Sequence, residues 1–163
     1  MIALRLSRIA LTKSVALLFT LIAFGNLTDY GTNFAFVQHV LAMDTTFRSP
    51  GVMWRAITDP TLHHAAYILI IAWEAATAVL LWAGVMRLWS ARGGTAAAWN
   101  AARGPAILGL TAGALLYGLG FLVVAGEWFS MWQSREWNGQ ASAAIFLTFI
   151  GLTLIHVSAA ETE

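Results

Sequence analysis

Glu74 stands in "ILIIAWEAATAVLLW", residues 68–82, where it is the only charged residue. A carboxyl amid such a run is costly unless it faces other helices, so Glu74 is expected to point inward. Three roles fit a carboxyl there: it can relay protons, hydrogen-bond a ligand, or tie two helices together. Tyr67 precedes it by seven residues and so shares its face of a helix. Tyr117, Thr148, Thr153 and Lys13 lie in other apolar runs and are its candidate partners. Glu74, Tyr67 and Tyr117 form the candidate intramembrane polar set.

A second concentration of chemistry lies at residues 127–140, "EWFSMWQSREWNGQ", which sets Trp128, Trp132 and Trp137 among amides, hydroxyls and charges. Aromatic rings with a few convergent polar groups suit the wall of a small-molecule pocket. The same rings also suit a belt at a membrane surface, where amphipathic indoles collect. The candidate pocket joins Trp132, Gln133, Trp137, Asn138 and Gln140 to Asp29, His39, Asp44, Trp54 and Arg55 from an earlier connector. A quinone or other lipid is the ligand class such a pocket would take. No catalytic residue can be assigned.

The histidines raise metal and haem chemistry. His39, His63 and His64 fall near one end of the apolar runs and His156 near the other. A haem held by two histidines needs them facing each other at matching depth, and no deep pair qualifies. A small metal site would have to combine His39, one of His63 or His64, and Asp44 or Glu127. No metal is assigned. The absence of cysteine excludes thiolate metal sites and disulfides.

These residues need a scaffold, and composition says which. The chain has 163 residues, 59% hydrophobic and 10% charged. Soluble domains carry about 25% charged residues, so lipid is the natural solvent here. The net charge of +1, without a basic cluster, argues against a nucleic-acid partner. Four runs are long enough to cross a bilayer, which takes about 20 residues: about 9–28, 60–89, 104–126 and 140–158. Together they predict one all-α domain over 1–163, a four-transmembrane-helix bundle. Asp59 as cap and Pro60 at the first helical position start the second span. Pro105 opens the third, and Asn138 caps the fourth. In the connector between the first two spans, "NFAFVQHVLAM" predicts one short interfacial helix, and "SPGVMWRAI", with Ser49 as cap, a second.

Arg5, Arg8, Lys13, Arg87, Arg92 and Arg103 fall at one end of the spans, and Arg48, Arg55 and Arg135 at the other. The excess predicts cytoplasmic termini, with the aromatic connectors outside. A cleaved signal peptide over residues 5–25 is the rival reading of the first run. Gly109, Gly113 and Gly120 share a face of the third span and suit close packing, within the bundle or between copies.

"DYGTNFAFVQHVLAMDT" preceded by Asn26, "WRAI" at 54–57, "MWQS" at 131–134 and "WNGQ" at 137–140 resemble a bacterial family of predicted small integral membrane proteins classed as a domain of unknown function. The resemblance implies a four-span protein of the bacterial inner membrane and carries no established activity. Three functions are then open: an accessory or anchoring subunit that meets a membrane-protein partner or a second copy through its outer aromatic face, a quinone- or lipid-binding protein that includes redox subunits, or a proton-coupled transporter using Glu74.

Overall fold

A computed structural model describes residues 1–162. All regular structure among them is helical: α1 (Ile2–Thr28), α2 (Tyr30–Ala42), α3 (Pro60–Ala91), α4 (Ala96–Ala102), α5 (Gly104–Leu115), a π-helical continuation (Leu116–Trp128), and α6 (Gln140–Ser158). Four helical runs are long and apolar enough to span a membrane: Ile2–Thr28, Pro60–Ala91, Ala96–Trp128 and Gln140–Ser158. At 1.5 Å per residue, α3 is roughly 48 Å long and exceeds a hydrocarbon core of about 30 Å.

Local chemistry sets the boundaries. Asp59 Oδ1 accepts the Thr61 N–H at 2.7 Å, and Pro60 opens α3 as expected. This bond holds the Asp59 carboxyl below its usual range. Thr95 caps α4 through the Ala98 N–H at 3.2 Å. Arg103 keeps helical dihedrals, so the third run begins at Ala96 and not, as the sequence suggested, at the "RGP" motif. Asn138 Oδ1 accepts the Gln140 N–H at 3.0 Å, but it lies two residues before α6, and Gly139, not Asn138 as the sequence suggested, holds the cap position.

α1 breaks at Asp29, and α2 then continues along α3. The facing pairs run in register from Thr20–Trp82 through Asn26–Glu74 and Tyr30–Tyr67 to Phe34–His64. The "NFAFVQHVLAM" helix is therefore present and lies along the upper part of α3. The expected helix at "SPGVMWRAI" shrinks to a 3-10 turn, Met53–Arg55.

The core is built where backbones approach closely. A Cβ on Gly84 would lie 2.6 Å from the Ala106 backbone N, so α3 and α5 touch there. Gly109 faces Leu81 and Gly113 faces Phe19, each too close for a further methyl. These two glycines are thus used inside the protein and are not a surface for another copy.

At the end carrying both termini, three arginines are buried: Arg5, Arg8 and Arg103. Their first task is to cover the carbonyls that helix ends leave unpaired. Arg5 Nη1 donates to the carbonyls of Arg92 and Gly94 just past α3, at 3.0 and 2.7 Å. Arg8 Nε donates to the His156 carbonyl and Arg103 Nη1 to those of Val157 and Ser158, at the end of α6. The second task falls to Glu161. Its carboxylate takes Arg5 on one oxygen at 2.6 Å and Arg8 on the other at 3.3 Å. Its backbone is held at both polar atoms by the Asn100 amide. Trp99, fully buried, lies under the Arg5 guanidinium at 5.1 Å.

Hydrogen bonding by Arg5 holds the Glu161 carboxyl below the usual glutamate range. A depressed folded-state pKa contributes stability that is present above the unfolded value and lost as pH falls through the folded one. Melting curves of the detergent-solubilised protein and of Glu161→Gln should therefore differ most above about pH 5 and converge under stronger acid. A gap unchanged across that range would exclude the ion pair as its source.

Candidate functional site

Two polar regions lie away from the termini end. The first is a cap formed by the two long connectors. Thr45 Oγ1 donates to Ser134 Oγ at 2.9 Å, and Ser134 Oγ accepts the Trp137 N–H at 2.9 Å. Gln133 Oε1 accepts the Phe47 N–H at 2.9 Å. The His39 ring stacks on Trp137 at 4.5 Å while its Nδ1 meets Asp44 Oδ2 at 2.8 Å. Phe47 meets Trp132 edge-on, and Trp54 meets Trp128 likewise. Arg55 lies over both Trp54 and Trp128, at 5.5 and 4.8 Å from the ring centres.

Most of the ten cap candidates are thus brought together, and their polar groups are largely turned on one another. Gln140 packs its amide over Gly126, and Asn138 serves the start of α6. Asp29 is exposed at the α1–α2 break, apart from these contacts. Two indoles partner Arg55, and among the described residues no ion pair joins Arg55 or Arg135 to an acid. His63, also buried, bonds the Ile57 carbonyl at 2.7 Å, and His64 bonds the Tyr30 hydroxyl at 2.8 Å. No three metal-ligating groups of His, Asp or Glu converge among the described residues.

The second region is deeper. A cavity of about 280 Å³ lies among α1, α2, α3, the π-helical segment and α6. Glu74, Tyr67 and Tyr117, the intramembrane set read from the sequence, all line it. Glu74 is 3% exposed, and its Oε2 accepts the Asn26 side-chain N–H at 2.7 Å. Asn26 was missed as a partner. The expected alternatives are elsewhere: Thr148 and Thr153 bond carbonyls of their own helix, and Lys13 is exposed. The signal for Asn26 was present, since a carboxamide in "AFGNLT" interrupts an apolar run as Glu74 does. The Asn26 carbonyl, near the helix break at Asp29, accepts the Tyr67 hydroxyl at 3.3 Å.

Only one Glu74 oxygen has a protein partner among the described residues, so the other is available to the cavity. The Tyr117 hydroxyl likewise has no bonded partner there, although the residue is buried. Asn33 and Ser142 add polar groups, and Phe36, Phe121 and Phe146 supply aromatic wall. The arrangement can hydrogen-bond a compact polar group and pack a flat one against an aromatic wall.

Residues 4–160 match the family model described as predicted small integral membrane protein, DUF2165. The chain belongs to this family. No curated protein and no solved structure matches it. Membership of DUF2165 places the protein in a lipid bilayer as a multi-pass integral membrane protein. The polar cavity and the cap are features of this chain's own geometry.

The cap is directly testable because the chain has no native cysteine. The Thr45 and Ser134 hydroxyl oxygens are 2.9 Å apart. The double variant Thr45→Cys, Ser134→Cys should oxidise to an intramolecular disulfide, seen as a mobility shift that reductant reverses. Persistently free thiols under mild oxidant would mean that the connectors do not meet.

Proposed function

We propose that this protein binds a small lipid-soluble molecule, of the quinone or lipid class, with the polar part of the ligand in the cavity beside Glu74. The observation that carries this reading is a nearly fully buried carboxyl with one oxygen left for the cavity, which is also lined by Tyr117, a buried residue whose hydroxyl has no partner among the described residues. Unbonded polar groups at such depth are costly, so a ligand that bonds them gains affinity. The aromatic walls favour a ring or another flat group. This moves the ligand site from the cap, where the sequence placed it, into the bundle.

An accessory role, in which the cap docks on a membrane-protein partner or a second copy, is the second reading. It is supported by the rings of Phe47, Trp54, Trp128 and Trp132, which remain exposed at one end. Purification in mild detergent followed by solvent extraction and mass spectrometry separates the two. A stoichiometric small molecule is expected with the wild type, with less retained by Glu74→Gln and none by Glu74→Leu. A stoichiometric protein with no small molecule would favour the accessory reading and overturn ours.

We further propose that the termini face the cytoplasm of a bacterial inner membrane and that the cap faces outward. The imbalance of arginine and lysine between the two ends supports this orientation. A cysteine at exposed Ser49 should react with an impermeant maleimide in intact cells, whereas one at exposed Gly93 should react only after lysis. The opposite pattern would reverse the orientation.

A further inference from the structure

Beside the polar cavity lies a second space, a groove of about 310 Å³ between α2, α3 and the α5–π run. Every residue lining it is apolar or aromatic. Its one side-chain polar atom, Trp73 Nε1, already donates to the Ala112 carbonyl at 3.0 Å. Leu69, Leu119 and Val124 on its rim are exposed at the helix surface, where lipid would lie. Gly120 forms part of the wall, and a Cβ there would meet only Leu116 Cδ1, at 3.8 Å. The groove backs directly on the polar cavity: Phe36, Val37, Ile70 and Phe121 line both.

We infer that the two spaces are the head and tail halves of one site, open sideways to the bilayer, for an uncharged ring-headed molecule of the quinone class with a long hydrocarbon tail. This inference rests on the reading of the Glu74 cavity as a ligand site.

Three observations narrow the chemistry. At about 280 Å³ the polar cavity falls just below the range of about 300–1,000 Å³ typical of ligand pockets. It holds a headgroup and leaves the remainder of a lipid to lie elsewhere. Its lining includes a carboxyl and neither lysine nor arginine, so it disfavours a phosphate headgroup, which calls for a cation. The rings of Phe121 and Phe146 flank Tyr117 at 5.5 and 5.1 Å, an aromatic cluster against which a flat, neutral ring can pack. The groove supplies the complement, an apolar trough without an unbonded side-chain polar atom. Phe36 and Phe121, with ring centres 6.1 Å apart, form part of the partition between the two halves. A rotamer change in either ring is the motion that would join them. An ordinary acyl chain could rest in the groove, but the tail of a ring-headed ligand would also be anchored by its head.

The test uses the full-length protein in nanodiscs and two probes: 2,3-dimethoxy-5-methyl-1,4-benzoquinone, and the same ring carrying a decyl tail. Binding is read from tryptophan quenching and compared at equal probe concentration in the lipid phase. The tailed probe should bind at least tenfold more tightly. Ala66→Phe, which fills the groove, should abolish this advantage while the bare ring still binds. Ala125→Leu, from another wall of the groove, should reduce it in the same direction and covers the case in which Ala66→Phe fails to fold. Glu74→Leu should weaken both probes. Equal binding of the two probes by the wild type, or a tail advantage that survives groove filling, would overturn the two-part site. If Glu74→Leu still abolished ring binding, the cavity reading would stand. Failure of both probes to bind the wild type would overturn the quinone-class assignment, and a different molecule recovered by solvent extraction would preserve the cavity reading alone.

Discussion

Inside a bilayer a polar group has no water to bond, and this constraint organises the molecule from end to end. Arg5, Arg8 and Arg103 are buried at one end because the ends of α3 and α6 present carbonyls that nothing else would satisfy. Cations at helix C-termini also sit at the negative pole of the macrodipole. Their combined positive charge then draws in Glu161, and the bonds of Glu161 to Asn100 bind the chain beyond α6 to α4. The same rule governs Glu74, but there the protein answers only half of it. Asn26 takes one oxygen, and the other is left for the cavity.

The cap follows a different logic. Its connectors hold all the non-glycine residues with left-handed backbone among those described: Met43, Arg48 and Ser130. Each such residue costs roughly 1–3 kcal/mol and persists only where its surroundings hold it. Met43 and Ser130 are buried, and the turns beside them are bound by the Thr45–Ser134 and Phe47–Gln133 bonds. The cap is thus a folded element stabilised by contacts between distant stretches of chain. Trp54, Trp128 and Trp132 pack edge-on, the first two also beneath Arg55, while Trp137 stacks on His39, and the first three remain exposed.

Much of this was legible in the sequence because lipid imposes simple rules. Hydrophobic run length gave the spans, Asp59–Pro60 gave the start of α3, and the carboxyl of Glu74 had to face inward. What escaped depends on which helix faces which. Asn26 lies near the end of α1 and Glu74 near the middle of α3, and they meet because α2 prolongs α1 along α3. No hydropathy profile contains that offset. The arginines near the N-terminus read as topological markers, and their partners lie more than 80 positions away. The π-helical turn geometry from Leu116 onward left no signature that periodicity could separate from an α-helix. The cap chemistry was visible as composition, but its polar groups proved to be spent mostly on one another.

The clasp between Arg8 and Glu161 joins positions 153 residues apart. Chains are synthesised at about 5–20 residues per second, so the first helix would wait roughly 8–30 s for the carboxylate that completes its surroundings. During that interval Arg5 can reach the carbonyls past α3, but the acid that Arg5 and Arg8 share is not yet present. That end of the bundle therefore cannot close around the first span until the chain beyond the last helix has emerged.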